Sequence, residues 1–259
     1  MSLSFRWLGA AGVELRADGQ VLALDPFFTR PSLIGLIRPV RPDAGLVAEK
    51  LPRCDAVLVT HAHWDHVMDV PEVVRQTHAR AYGSVNTCQL LRLEGLPEQS
   101  FSEVSPGDKL SLGAFRVEVL AGRHSRIPLG RVFNGCLKPH LQPPLRLQDY
   151  RMDTCLGYCI TAQGRRVLVC ADQPQPAEVL LIVAQEPRQY YVRLFEAARP
   201  QTIIPIHWDN FLRPLSRPVR RFTRPGRLEL GQLCRLARRL LPEAKVIIPE
   251  IFKEYSLVD

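Results

Sequence analysis

His61-Ala62-His63-Trp64-Asp65-His66 packs three imidazoles and a carboxylate into six positions, directly after the apolar run Asp55-Ala56-Val57-Leu58-Val59. A short apolar run of this kind suits a buried central strand. So many polar groups at the end of a buried strand are costly unless something satisfies them. Neutral imidazole and carboxylate are ligands for first-row transition metals, so the spacing reads as metal ligation. In an extended segment residues i and i+2 point the same way. His61 and His63 can therefore grip one ion while Asp65 and His66, turning into a helix, face a second.

The rest of the chain supplies a frame for such a rim. Leu3 to Leu8, Gly12 to Arg16 and Gln20 to Leu24 read as a β-meander, with Asp18-Gly19 as a hairpin turn. Residues 31 to 53, rich in Pro and Gly, read as an ordered loop with one helical turn. Val67 to Thr77 has helical spacing, Arg80 to Tyr82 is a short strand, and Ser84 caps a helix to about Leu93. Strands follow near Ser102 and Lys109, and from Phe115 to Leu120. The second half repeats the pattern. A hairpin of Cys155 to Thr161 and Arg165 to Cys170 turns at Gln163-Gly164, and strands at Glu178 to Val183, Thr202 to Ile206 and Lys245 to Ile248 alternate with helices at Pro187 to Ala198 and Leu228 to Leu241. The expected architecture is α/β, two mixed sheets face to face with helices on both outer surfaces, and residues 1–259 as one domain.

Further candidate ligands fall just past predicted strand ends: His124 after Phe115 to Leu120, Asp172 after the hairpin and His207 after Thr202 to Ile206. Side chains from several strand ends can converge on one rim, which is how α/β folds build sites. Two histidines stay outside the scheme, His78 as a helix-surface residue and His140 as a loop residue that could also donate a proton to a leaving group. Trp64 and Trp208 read as packing walls, and Asp209 and Asn210 either orient a ligand or cap the next turn.

With these residues in this order, the chain resembles the metallo-β-lactamase superfamily. The resemblance rests on His61-x-His63-x-Asp65-His66, His124 in Gly-Arg-His-Ser, Asp172 after an apolar strand, and His207 in Ile-Pro-Ile-His-Trp, and it spans essentially the whole chain. Val21 to Phe27 and the compact length look most like the branch of ascorbate-phosphate lactonases, with the phospholipase-D-type N-acylethanolamine enzymes as more distant kin. The resemblance implies an αβ/βα sandwich, with His61, His63 and His124 on one metal, Asp65, His66 and His207 on a second, and Asp172 bridging them. Ala171 and Gln173 flank Asp172 where the family usually has Gly and a small hydroxyl residue.

Two divalent ions about 3.5 to 4 Å apart can share a water, lower its pKa towards about 7 and stabilise the charge that builds on the attacked group. A hydrolase follows, with a hydroxide shared by the metals as nucleophile and Asp65 as the residue that positions it or takes its proton. The mixed nitrogen and oxygen donors suit zinc first, with manganese or iron as alternatives.

Composition narrows the partners. The chain has 259 residues, 46% of them hydrophobic, and no apolar stretch long enough to span a bilayer. Seven cysteines without a C-x-x-C pair, and an N-terminus unlike a signal peptide, point to reduced thiols in a cytoplasmic protein. The net charge of +8 rests on arginine, and two irregular segments carry basic residues: Arg131, Lys138, Arg146 and Arg151 in 128–153, and six arginines in 213–227. Those segments are either binding loops or solvated surface. The expected substrate is a small anionic ester or lactone held by these arginines. A phosphodiesterase or nuclease is the alternative, although the chain lacks an inserted arm to grip nucleic acid. A non-catalytic metal-binding scaffold is the third, and an oxygen-reducing diiron role ranks lower because the flavin domain it depends on is absent.

Overall fold

The computed structural model describes residues 2–125, 130–184, 186–223 and 225–258. Its first sheet starts as the antiparallel meander β1 (Leu3–Gly9), β2 (Gly12–Ala17) and β3 (Gln20–Leu24). It continues in parallel with β4 (Ala56–Leu58), β5 (Arg80–Gly83) and β6 (Phe101–Glu103). The second sheet repeats this order. β7 (Lys109–Leu112), β8 (Phe115–Ala121), β9 (Leu156–Ala162) and β10 (Arg165–Val169) are antiparallel, and β11 (Val179–Val183), β12 (Thr202–Ile206) and β13 (Lys245–Val246) add in parallel. A final strand, β14 (Glu254–Ser256), pairs with β1 and completes seven strands in each sheet. Both expected hairpin turns have positive φ at their two central residues, 48° and 74° at Asp18 and Gly19, 50° and 72° at Gln163 and Gly164. That geometry matches the twist of the flanking strands.

Parallel neighbours need crossovers, and helices supply them. Along the first sheet lie α1 (Ala44–Lys50), α2 (Trp64–Val67), α3 (Val70–Thr77) and α4 (Val85–Leu93), while α5 (Gly130–Phe133) is a single turn. On the second sheet α6 (Arg188–Ala198) and α7 (Leu230–Leu240) pack against β11 and β12. The period-2 alternation of each strand then divides the buried residues into three layers. In β4, Val57 faces the helices with Val67, Val73 and Leu91, whereas Ala56 and Leu58 face the other sheet with Val117, Tyr158 and Ile204. The result is the expected αβ/βα sandwich.

Three local differences have physical causes. The loop expected over residues 31–53 contains α1, whose first turn is capped where the Asp43 carboxylate accepts from the Leu46 N–H at 2.9 Å. The helix expected from Val67 to Thr77 starts earlier and breaks near Asp69, whose carboxylate instead accepts from the Phe28 and Thr29 N–H groups. β14 has little apolar pattern of its own and forms because β1 offers an unpaired edge.

One buried ion pair ties the loops at the rim together. Arg30 Nη2 donates to Asp209 Oδ2 at 2.6 Å, and Asp209 Oδ1 accepts from the Ala10 N–H at 3.0 Å, joining the turns after β1, β3 and β12. Both side chains are almost fully buried. Removing one partner strands the other charge, so Asp209→Ala is expected to lower unfolding free energy by about 3–5 kcal/mol. Urea denaturation followed by circular dichroism checks this.

Candidate metal centre

β4 is an interior strand of the first sheet, between β3 and β5, and its end delivers Thr60, His61 and His63 to the rim. His61 Nε2 and His63 Nδ1 lie 3.0 Å apart. Two imidazole nitrogens on one tetrahedral cation, with bonds of about 2.0–2.1 Å, would be about 3.3 Å apart. Their other ring nitrogens are engaged elsewhere: His61 Nδ1 is 3.0 Å from Thr60 Oγ1, and His63 Nε2 is 3.1 Å from the Phe133 carbonyl. Since a carbonyl only accepts, His63 carries its proton on Nε2, which leaves Nδ1 as a lone-pair donor towards His61. His124, just past β8, completes this triad, with its ring centroid 4.6 Å from that of His61 and 4.8 Å from that of His63. The three donor atoms all lie within 4.8 Å of one another.

A second triad sits alongside. Asp65 and His66 come from α2, and His207 from the residue after β12, where it adopts a left-handed φ of 54°. Asp65 Oδ2 is 3.3 Å from His207 Nε2 and 3.7 Å from His66 Nε2. The His61 and His66 rings approach to 3.8 Å, so the triads form one continuous cluster. Asp25, at the end of β3, anchors it. Its Oδ1 accepts from the Thr60 N–H at 2.7 Å, while Oδ2 accepts from Thr60 Oγ1 at 2.6 Å and from His66 Nδ1 at 2.8 Å. That contact turns His66 Nε2 towards Asp65 and His207. The chemistry and spacing of both donor sets fit divalent cations.

Burial and mutual charge set the protonation states. Burial, reinforced by neighbouring imidazoles, holds His61 well below its usual value and pushes His124 down to about 3; burial also lowers His63. These three rings are neutral at pH 7 and have lone pairs to give. For His66 burial opposes the charged form, but the Asp25 and Asp65 carboxylates outweigh it and push the imidazole up to about 9. Asp65 is buried too, yet its histidine neighbours hold its carboxyl well below the usual carboxylate range.

Six of the seven expected ligands are thus brought together. Asp172, expected as the bridge, belongs to neither triad and does not line the cavity. The backbone around it pairs with the end of β8, its N–H donating to the Ala121 carbonyl at 2.9 Å, and its half-exposed side chain faces Arg123 Nη1 at 3.9 Å. Cys170 and Ala171, rather than Asp172, reach the wall of the site. His140 is exposed in its loop and does not line the site, so it is not placed to donate a proton there. His78 ends α3 on the surface in a left-handed conformation. Trp64 is a wall, edge-on to Phe27, and Trp208 packs against Trp7 with ring centroids 4.8 Å apart and planes tilted by 30°. Asp209 is the buried strut described above, and Asn210 Oδ1 accepts from the Leu212 N–H in the following turn. Sequence reasoning missed Asp25 and Thr60 as supporting residues. Asp25 carried the same signal as the ligands, a polar residue just past a strand.

The triads form the floor of a cavity of about 340 Å³. Its walls are mainly apolar, with Leu33, Leu36, Phe133, Leu181, Phe211 and Phe222 among them. Among the described residues Arg123 is the one arginine or lysine that lines it; those of 130–153 and 213–227 do not. The Arg123 guanidinium lies 5.1 Å from the Tyr190 ring centroid, and Tyr190 and Glu186 also line the cavity.

Residues 22–248 match the beta-lactamase superfamily domain, and the chain belongs to that family. A metal-dependent hydrolase of Methylocella silvestris is 27% identical over 119 residues, covering 46% of this chain and 47% of that protein. Another, of Anaeromyxobacter sp. (strain K), is 32% identical over 123 residues, covering 46% and 42%. The matches thus span about half the length of these relatives or less. Among solved structures, a metallo hydrolase of the archaeon Ignicoccus hospitalis superposes with a TM-score of 0.64 at 16% identity and full coverage of both chains. The metallo-beta-lactamase fold protein YhfI of Bacillus subtilis gives 0.61 at 13%, covering 99% and 100%. The diiron β-hydroxylase CmlA of Streptomyces venezuelae gives 0.60 at 16%, covering 99% of this chain and 54% of that one. These likenesses show that the fold is that of the metallo-β-lactamases.

Asp25→Asn is expected to weaken metal affinity by about 10–100-fold at the Asp65, His66, His207 triad, whose His66 it touches directly, and by less at the other, which it reaches only through Thr60, read by competitive chelator titration. Metal must displace the raised proton of His66, whereas the three depressed histidines give up none near neutrality. Apparent affinity at that triad should therefore rise with pH, by about tenfold per unit, until it flattens above about 9. Isothermal titrations across pH 6.5 to 9.5 check the sign.

Proposed function

We propose that this protein is a hydrolase that uses two divalent cations, zinc in the first instance, to cleave an ester or lactone bond in a substrate carrying an anionic group. The observation that carries this is the pair of adjacent donor triads on the floor of one cavity that has Arg123 on its wall. His61, His63 and His124 would hold one ion, and Asp65, His66 and His207 the other. When bound, the ions supply the acidity that makes water a nucleophile at neutral pH and the Lewis acidity that polarises the attacked carbonyl.

The chain's own residues do the rest. Asp65, kept ionised among its histidines, orients the attacking water and accepts its proton. Arg123 holds the substrate's carboxylate or phosphate as a charge-assisted pair. Tyr190, whose phenol is pushed up by burial, remains protonated and offers an O–H to the leaving oxygen. Trp64 and Phe211, 5.5 Å apart, keep bulk water from that side of the floor.

Turnover of lactones and esters in preference to bis-aryl phosphodiesters, at matched metal loading, is the expected outcome of a substrate screen; preference for phosphodiesters would favour the nuclease-like alternative, and no turnover with full metal occupancy the scaffold. Arg123→Gln should raise KM by about tenfold for anionic substrates and leave neutral analogues unchanged. Tyr190→Phe should lower kcat by about 100-fold with KM held. Steady-state kinetics on the two variants separates binding from proton transfer.

A further inference from the structure

Five of the eight large hydrophobic residues exposed among those described lie in the segments that wall the cavity. Leu33, Ile34 and Ile37 are 60%, 56% and 70% exposed on and just after the 3-10 turn Leu33–Leu36, Val132 is in α5, and Val219 is in the turn-rich stretch after β12. The same segments have an unusual charge pattern. Residues 26–42, 122–148 and 210–228 contain 14 Lys and Arg and no Asp or Glu. The other 196 residues hold 20 basic and 26 acidic side chains, a net of −6, so the whole of the chain's +8 originates in these three segments.

They meet in space around the cavity mouth. Arg30 Nη1 donates to the Arg213 carbonyl at 3.3 Å, joining the first segment to the third. The Val40 N–H donates to the Leu145 carbonyl at 2.8 Å, joining the first to the second. Each also sends apolar side chains into the cavity: Leu36 from the first, Phe133 and Leu147 from the second, Phe211 and Leu212 from the third. Arg38, Arg131, Arg146, Arg217, Arg220 and Arg221 are exposed on this collar.

We propose that the collar is a docking surface for an anionic lipid bilayer, with Ile34 and Ile37 entering the interface and the arginines pairing with acidic headgroups. Protruding aliphatic side chains ringed by acid-free positive charge match what such an interface rewards, burial of a few apolar residues together with attraction to a negative surface. A second copy of this chain fits the patch poorly, because a two-fold contact would oppose two strongly positive faces. Nucleic acid fits less well too, since the exposed apolar groups are aliphatic and Phe211 and Phe222, the aromatics able to stack on bases, are half-buried. The cavity would then open onto the bilayer. Docking does not depend on the reaction proposed above, and its test uses no substrate.

The test is co-flotation of the purified full-length protein with vesicles of phosphatidylcholine alone or mixed with phosphatidylglycerol. The wild type is expected to partition at least about tenfold more strongly onto the anionic vesicles, and to lose this preference at about 1 M salt, where the screening length is about 3 Å. Ile34→Ser with Ile37→Ser, both at solvent-facing positions, should weaken anionic binding about tenfold or more with an unchanged circular dichroism spectrum. Arg217→Gln with Arg220→Gln and Arg221→Gln should erase the anionic preference. Absence of vesicle binding, equal binding to both compositions, or indifference to both sets of changes would overturn the proposal. So would a dimer in light scattering that the isoleucine variant dissolves, which would assign the patch to a second copy, or stronger binding to an oligonucleotide than to vesicles.

Discussion

Five imidazoles and a carboxylate share one largely buried rim of this sandwich, and the rest of the structure answers to the problem they create. Buried polar groups need partners, and buried like charges repel. The fold meets both demands without spending the donor atoms. His61, His63 and His124 are held neutral, and His63 turns its proton to the Phe133 carbonyl. Asp25 takes up His66 Nδ1 and the Thr60 hydroxyl, leaving His66 Nε2 towards Asp65. His61, His63 and His66 are therefore oriented from behind, which leaves their remaining nitrogens to the two triads.

That arrangement follows from how the two sheets are built. Each begins antiparallel, ends in parallel strands and carries helices on its outer face, so the ends of β3, β4, β8 and β12 open on one edge. The backbone turns sharply where it must. Asp25 and His207 both leave their strands with left-handed φ values, 44° and 54°, which non-glycine residues adopt only when the surroundings hold them there. The His207 N–H donates to the carbonyl of Ala10, itself tied to the buried Arg30 and Asp209 pair through the Ala10 N–H, and the Asp25 N–H donates to the Leu58 carbonyl, which links stability of the rim to the geometry of the site.

Much of this was legible in the chain itself. The His61 to His66 cluster, the strand ends carrying His124 and His207, both hairpin turns and the layered α/β architecture all come from local signals: residue type, period and turn chemistry. What escaped depends on tertiary contact. Asp25 reads as an ordinary strand end until Thr60 and His66 arrive against it. Asp172 looks equivalent to the other ligands by position, but pairing of the strand ends directs its carboxylate to Arg123. The arginine-rich segments looked like a grip on an anionic substrate. Among the described residues, folding instead points several of their apolar side chains into the cavity and leaves their charge outside, so that Arg123, which no local pattern distinguished, is the described cation on the wall.

The claim at the centre of this account is that two adjacent triads hold two ions. An anomalous difference map from a crystal of the metal-loaded protein, collected at the metal's absorption edge, tests it most directly. Two peaks about 3.5–4 Å apart are expected, one against His61, His63 and His124 and the other against Asp65, His66 and His207. A single peak shared by the two sets, or metal bound away from them, would contradict it.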